Sequence, residues 1–310
     1  MDGGLAARSP TVHPLIRDAL VLFAELLLLF VAVSFGLNLL RRRVGDERLR
    51  TLMGASPVGA ALRGIGVGFI TPFCTYSAIP VLVSLRRAGV TPAAYSAFIV
   101  AAPVLDPILF GALAIIVGLP AAIIYLAVVF AASMGLALLA ERVDLDRFMK
   151  PLSRAGMDEG SEPDIGTGPW QGLRKEWRPA MLSARALLRT MLPLLALGIL
   201  IGLAIAAFLP AETVARVPVL SGDAAIPAAA AVGTFFYINT ELFVPIANGL
   251  RAAGIGIGAV VALTIAGAGA NVPEFVMLAR LTSRNVLAVF GAYVFVVAMS
   301  AGLLVELTVA

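Results

Sequence analysis

"PVLVSLRRAG" (Pro80 to Gly89) returns 165 positions later as "PIANGLRAAG" (Pro245 to Gly254). Proline, leucine, arginine, alanine and glycine agree, five of ten positions, without a gap. Resemblance between Ala- and Leu-rich segments is common. Shared breakers at a fixed offset are harder to dismiss. Further on, Asp106-Pro107 is echoed by Asn271-Val272-Pro273, with one insertion. The chain reads as an internal duplication.

Composition gives the medium. Hydrophobic residues are 60% of the 310, charged residues 14%, and the mean hydropathy is +0.97. A soluble domain is nearer ~45–50% apolar and ~25% charged. An all-α integral membrane protein is expected, multi-pass, in the cytoplasmic membrane. The net charge of +4 does not point to nucleic acid, because the basic residues sit at span ends. A single cysteine excludes an internal disulfide and a multi-cysteine metal cage. The start, "MDGGLAARSPTVHP", lacks the apolar core and cleavage site of a signal peptide, so the first span is expected to be retained.

Four stretches read as uninterrupted spans: Ala19–Leu40, Ala121–Ala140, Met181–Leu209 and Val286–Val305. About 20 apolar residues cross the hydrocarbon core. The segments between them are apolar but broken. Pro57–Ile70 is too short to cross and runs into "TPFCTYSAIP" (Thr71 to Pro80); Ile79–Leu85 follows. Pro92–Leu119 is long enough, but "APVLDP" (Ala102 to Pro107) interrupts it.

Charge orients the halves. "RRRVGDERLR" (Arg41 to Arg50) sets five arginines against two acids and is expected in the cytoplasm. Arg174, Lys175 and Arg178 start the second half on that side. "GLPA" (Gly118 to Ala121) is uncharged and should face out; its counterpart "ARLTSRN" (Ala279 to Asn285) carries two arginines and should face in. The expected fold is therefore two inverted repeats, each of three spans plus a re-entrant or broken hairpin. Residues 1–140 form the first repeat, 141–180 a cytoplasmic linker containing "MDEGSEPDIGTGP", and 181–310 the second repeat. The hairpins pair Pro57–Ile70 with Ile79–Leu85, and Ala224–Ile238 with Leu242–Leu250. Counting each hairpin as a full span gives a parallel repeat of eight crossings, which fits the charges less well.

Non-helical backbone in hydrocarbon leaves polar groups without partners, so breaks survive only against protein or a water-filled cavity. Broken hairpins meeting near the midplane of inverted repeats are a transporter plan. On that reading Cys74, Thr75, Tyr76 and Ser77 form one tip, and Asn239, Thr240 and Glu241 its mate. The helix breaks add Asp106, Asn271 and Glu274. The first set, with Asn271, is expected to bind substrate. Glu241, then Asp106 and Glu274, are expected to couple protons, because an ionisable group at membrane depth is by default functional. The plainer readings are a cysteine as apolar filler, Ser and Thr bonded to their own helix, and Asp106 as a helix cap. Glu25, in the first span, has no repeat partner and could pair with Arg63.

These motifs resemble the predicted permease family that includes the organoarsenical efflux permease ArsP. The resemblance rests on "TPFCTYSAIP", "LRRAGVTPAAYSAF", "APVLDP", "NTELFVPIANGLRAAG" and "AGAGANVPEF". It implies export of trivalent organoarsenicals against protons, with motif cysteines binding substrate. Arsenical-type members read Phe-Cys-Ser-Cys-Ser, where this chain reads Phe73-Cys74-Thr75-Tyr76-Ser77. Only Cys74 carries over.

A secondary-active permease is the leading expectation, exporting a small soft or thiol-reactive solute in exchange for protons; the alternative is an ion or small-solute permease or channel unrelated to arsenic. No nucleotide-binding motif appears. An enzyme is not expected: the sole histidine, His13, lies in the N-terminal tail, away from Ser77. No cofactor or metal is expected, since one cysteine with carboxylates is a poor zinc set. The expected partners are a small solute, protons and the lipid bilayer, with self-association left open.

Overall fold

The computed structural model describes residues 24, 27–28, 31–36, 38–40, 42–54, 56–70, 75–151, 170, 172–208, 224–235, 238, 240–252 and 254–309, with the backbone alone at 75–77 and 240–242 among others. The described chain is all-helical. Helical residues 31–36, 38–40 and 42–44 come first. Then follow α1 (Asp46–Met53), α2 (Pro57–Ile70), α3 (Thr75–Arg87), α4 (Pro92–Val104), α5 (Pro107–Ile116) and α6 (Leu119–Arg142). After a 3-10 turn (Leu145–Arg147) come α7 (Leu173–Phe208), α8 (Ala225–Gly233), α9 (Thr240–Ala252), α10 (Ile257–Gly269), α11 (Val272–Leu281) and α12 (Arg284–Val309). Helices α6 and α12 are each long and apolar enough to cross a membrane. Three bent pairs reach that length together: α1 with α2, bent by 97°, and α4 with α5 and α10 with α11, each bent by 41°.

Helix boundaries repeat with the sequence. Thr75, Pro92, Pro107 and Leu119 open helices, and so do Thr240, Ile257, Val272 and Arg284, each 165 positions later. The opening motif now has a physical reason. Gly89 lies at φ +68° and Gly254 at φ +82°, left-handed values that favour glycine. At each, two hydrogen bonds close the helix: Gly89 N–H to Arg86 O and Val90 N–H to Leu85 O, then Gly254 N–H to Arg251 O and Ile255 N–H to Leu250 O. These are Schellman caps.

Packing repeats too. α2 lies on α4 as α8 lies on α10; α4 meets α6 as α10 meets α12; α5 meets α6 as α11 meets α12. Between the halves, α3 touches α11 and, reciprocally, α9 touches α5. Small residues allow the close approaches. A Cβ on Gly68 would stand 3.0 Å from the Ala101 Cβ; on its counterpart Gly233 it would stand 2.8 Å from the Ala266 Cβ. α6 and α12 cross in antiparallel fashion. The Tyr293 hydroxyl donates to Ala132 O near the middle of both, at 2.6 Å, and the C-terminal part of α6 shares a cavity with the N-terminal part of α12.

Two expectations shift. Thr75, Tyr76 and Ser77 belong to the first turn of α3, and Thr240 and Glu241 to that of α9, so helix takes up most of each expected tip. The expected linker carries structure at both ends: residues 145–147 turn, Met149 bridges to Thr282, and α7 begins at Leu173. Here Arg42 forms a two-pronged pair with Glu176, at 3.0 and 2.8 Å. Asn38 donates to the Ser183 hydroxyl. These contacts tie the first span to the start of α7. Residues 152–169 and Glu25 lie outside the described residues.

Candidate functional site

The site is built where α4 and α10 stop. Asp106 and Asn271 are both extended residues at a helix N-cap, 165 positions apart. Each side chain satisfies an N–H that the new helix cannot. An Asp106 carboxylate oxygen accepts from Ile108 N–H at 2.9 Å; the Asn271 carbonyl oxygen accepts from Glu274 N–H at 3.0 Å. Pro107 and Pro273 fix the first turn and bring no N–H of their own.

The freed carbonyls find different partners in the two halves. In the first, the buried Tyr125 hydroxyl donates to Val104 O at 2.6 Å. In the second, Gly267 O accepts both Asn271 Nδ2–H, at 3.2 Å, and Ile238 N–H, at 3.1 Å. Val272 N–H donates to Thr234 O. The turn between α8 and α9 is thereby stitched onto the break of its own half. The two breaks also meet: a Cβ added to Gly269 would stand 2.9 Å from Val104 Cγ2.

Asn271 is wholly buried, and so is Glu274, three residues on. Neither carboxylate oxygen of Glu274 has a hydrogen-bond partner among the described residues. Its counterpart 165 positions earlier is Leu109, also buried. Asn271 and Glu274 are thus joined by a hydrogen bond, and Asp106 lies two residues beyond the Val104 contact with Gly269. Cys74 and Asn239 lie outside the described residues. Thr75, Tyr76, Ser77, Thr240 and Glu241 are placed by their backbone only. No group of three or more His, Cys, Asp or Glu that could hold a metal is present among the described residues.

Two carboxylates escaped the sequence reading. Glu141 accepts from Ala93 N–H and Glu306 accepts from Gly258 N–H, both at 2.9 Å. Donors and acceptors are each 165 apart, so the last span of either half caps its broken helix in the same way. The offset could have revealed them, but both stand near span ends, where charge reads as topology. Tyr125 carried no such signal: its counterpart is Phe290.

Neither a curated protein nor a solved structure matches the chain. A family model does, over residues 12–307, and its description is "Predicted permease". Buried, stitched helix breaks in an apolar all-helical chain are what a permease needs at membrane depth. The chain belongs to the predicted permease family ArsP_1.

Proposed function

We propose that this permease is a secondary-active carrier built from two inverted halves, residues 1–140 and 181–310, joined by the linker 141–180. It moves a small solute across the cytoplasmic membrane in exchange for protons. The observation that carries the reading is the meeting of the two breaks at Val104 and Gly269, which are counterparts. A contact between counterparts lies on the axis that relates them, so the polar residues beside it, Asp106 and Asn271, line the middle of the molecule. The antiparallel crossing of α6 and α12, also counterparts, supports an axis in the membrane plane. Re-entrant hairpins α2–α3 and α8–α9 would then bring Cys74, Thr75, Tyr76, Ser77, Asn239 and Thr240 to that centre.

Proton exchange falls to Glu274 and Glu241. Asp106 already serves as a cap, a task the amide of Asn271 performs without charge. Glu274 is a carboxylate held at zero exposure with both oxygens unmatched, an expensive arrangement for a charge. A soft, thiol-reactive solute such as a trivalent organoarsenical fits Cys74. Tyr76, standing where a second cysteine would be, favours the alternative of an unrelated small solute or ion. Uptake into everted vesicles across arsenicals, other thiol-reactive compounds and small anions tests both. Glu274→Gln should abolish pH-driven accumulation and spare solute exchange. Retained accumulation in Glu274→Gln and in Glu241→Gln would refute the coupling scheme. Unchanged transport in Cys74→Ser would remove the arsenical.

A further inference from the structure

A cavity of about 330 Å³ opens between the halves, and none of its lining residues is among those that satisfy the breaks. Leu82 and Ile99 wall it from α3 and α4, Leu136 from α6, Met149 from the stretch after the 3-10 turn, and Leu278 and Phe290 from α11 and α12. Its volume is at the lower end for small-molecule sites, and its lining is almost wholly apolar. The outer rim includes Leu139, Val143, Phe148 and Val289, each more than 40% exposed. Leu139 and Val289 lie on α6 and α12, the helices long and apolar enough to cross a membrane, so that side of the rim would border hydrocarbon.

Of the polar residues in the lining, Tyr95 and Ser96 have their hydroxyls engaged, with Asp146 and with Pro92 O, and Thr282 and Asn285 stand at another corner. Thr282 is only 4% exposed, and its hydroxyl has no hydrogen-bond partner among the described residues. Asn285 lines the cavity beside it, in the first turn of the 26-residue helix α12. Ser283 Oγ accepts from Val286 N–H, so the turn is formed and capped. The N–H groups of Arg284 and Asn285 have no partner among the described residues, and such a terminus favours anions. Arg284 is exposed, as are Arg280 on α11 and Arg142 beside the lining residue Val143. The acids at this end are engaged: Asp144 with Arg147, Asp146 with Arg86 and the Tyr95 hydroxyl, and Glu141 in its cap.

An apolar chamber open to hydrocarbon, with an unmatched hydroxyl, a helix N-terminus and arginines at one corner, fits one occupant. We infer that it is a binding site for an anionic glycerophospholipid. One acyl chain fills the chamber, and the phosphate sits at the start of α12 against Arg284, with Thr282 donating to an ester or phosphate oxygen. Basic pockets between helices at a membrane surface bind such headgroups. The site is distinct from the solute pathway proposed above and does not depend on it.

The test uses the full chain, purified and delipidated in mild detergent, titrated with phosphatidylglycerol or phosphatidylcholine and read by native mass spectrometry. Wild type should take up one phosphatidylglycerol roughly tenfold more tightly than phosphatidylcholine, about 1.4 kcal/mol. Arg284→Gln should erase the preference. Thr282→Val should weaken phosphatidylglycerol binding several-fold, and Leu136→Trp, which fills the chamber, should remove binding of both lipids. Equal binding of both lipids to wild type overturns the assignment. So does phosphatidylglycerol binding that survives Leu136→Trp and is displaced by inorganic phosphate, since that would be a headgroup site only. Should Leu136→Trp fail to fold, the exposed change Arg284→Gln decides alone: a preference that persists in it overturns the assignment. Transport is not measured, so this result and that for the permease mechanism stand apart.

Discussion

Removing one glutamate from the end of a span should loosen a helix whose first turn lies 48 positions earlier in sequence. Glu141→Ala deletes the carboxylate that accepts from Ala93 N–H at 2.9 Å, and Glu306→Ala deletes its counterpart at Gly258. A hydrogen bond to a charged group contributes about 1.5–3 kcal/mol, and loss of an N-terminal cap costs about 0.5–2 kcal/mol. Both glutamates are only part-buried, and water can replace some of the bond, which places the expected loss at ~1–2 kcal/mol each. That is roughly a five- to thirty-fold shift in the unfolding equilibrium. Glutamine keeps an acceptor at the same reach without the charge, so Glu141→Gln should lose about half as much. The assay is reversible unfolding in mixed micelles, following helix content and tryptophan emission. Because the two bonds share one geometry, the two alanine variants should lose similar amounts. They lie in different halves and share no partner, so the double variant should be additive within about 0.5 kcal/mol. Alanine variants as stable as wild type, or glutamine variants as damaged as alanine, would refute the capping argument. A large loss at one position with none at the other would refute the equivalence of the halves.

Other perturbations probe the same framework. Gly233→Leu should be among the most damaging single changes, by more than about 3 kcal/mol, because even a Cβ there meets Leu263 O at 2.7 Å; thermal stability in detergent reads this out. Asn271→Leu should cost about 2 kcal/mol by stranding the Glu274 N–H and removing one of the two donors to the Gly267 carbonyl, whereas Asn271→Asp should restore the cap and recover most of it. Tyr125→Phe should cost about 1 kcal/mol through the lost bond to Val104 O. Single cysteines at Gly118 and Ser283 should react with impermeant thiol reagents from opposite sides of the membrane, and reaction from the same side would refute the inverted arrangement.

Much of this fold was legible because its punctuation is local. Proline at a first turn, glycine at a Schellman cap and an Asx cap each act within four residues, so Pro92, Pro107, Gly89, Gly254, Asp106 and Asn271 declare helix ends without tertiary help. The repeat was legible for the same reason: an offset of breakers is visible in one chain. Partners distant in sequence were not legible. Glu141 reaches back 48 positions to Ala93, and Tyr125 reaches back 21 to Val104. Nothing near either residue announces the bond. The helical start of α3 was missed because "TPFCTYSAIP" is polar by composition. Pro80 lies inside the helix, five positions after Thr75, where its missing N–H reads from sequence as a helix break. The functional tips stay expectations: Cys74 and Asn239 lie outside the described residues.

The way each break is satisfied separates structural from functional polarity. A helix interrupted at membrane depth strands N–H groups on one side and carbonyls on the other, each worth several kcal/mol if left unpaired. The N–H side takes a short acceptor, and Asp106 and Asn271 serve equally, so position is kept across the repeat while charge is not. The carbonyl side takes any donor that reaches it: a tyrosine hydroxyl in the first half, a backbone N–H and an amide in the second. Charge is needed for neither task. Glu274 serves neither. Its N–H is satisfied by Asn271, its carboxylate has no hydrogen-bond partner among the described residues, and the same position in the first half is filled by Leu109 without loss of the break. A leucine would serve the fold at that position. The carboxylate is therefore not required by the cap or by the break, and Glu274→Gln, which keeps the side chain's shape and removes its charge, asks whether transport requires it.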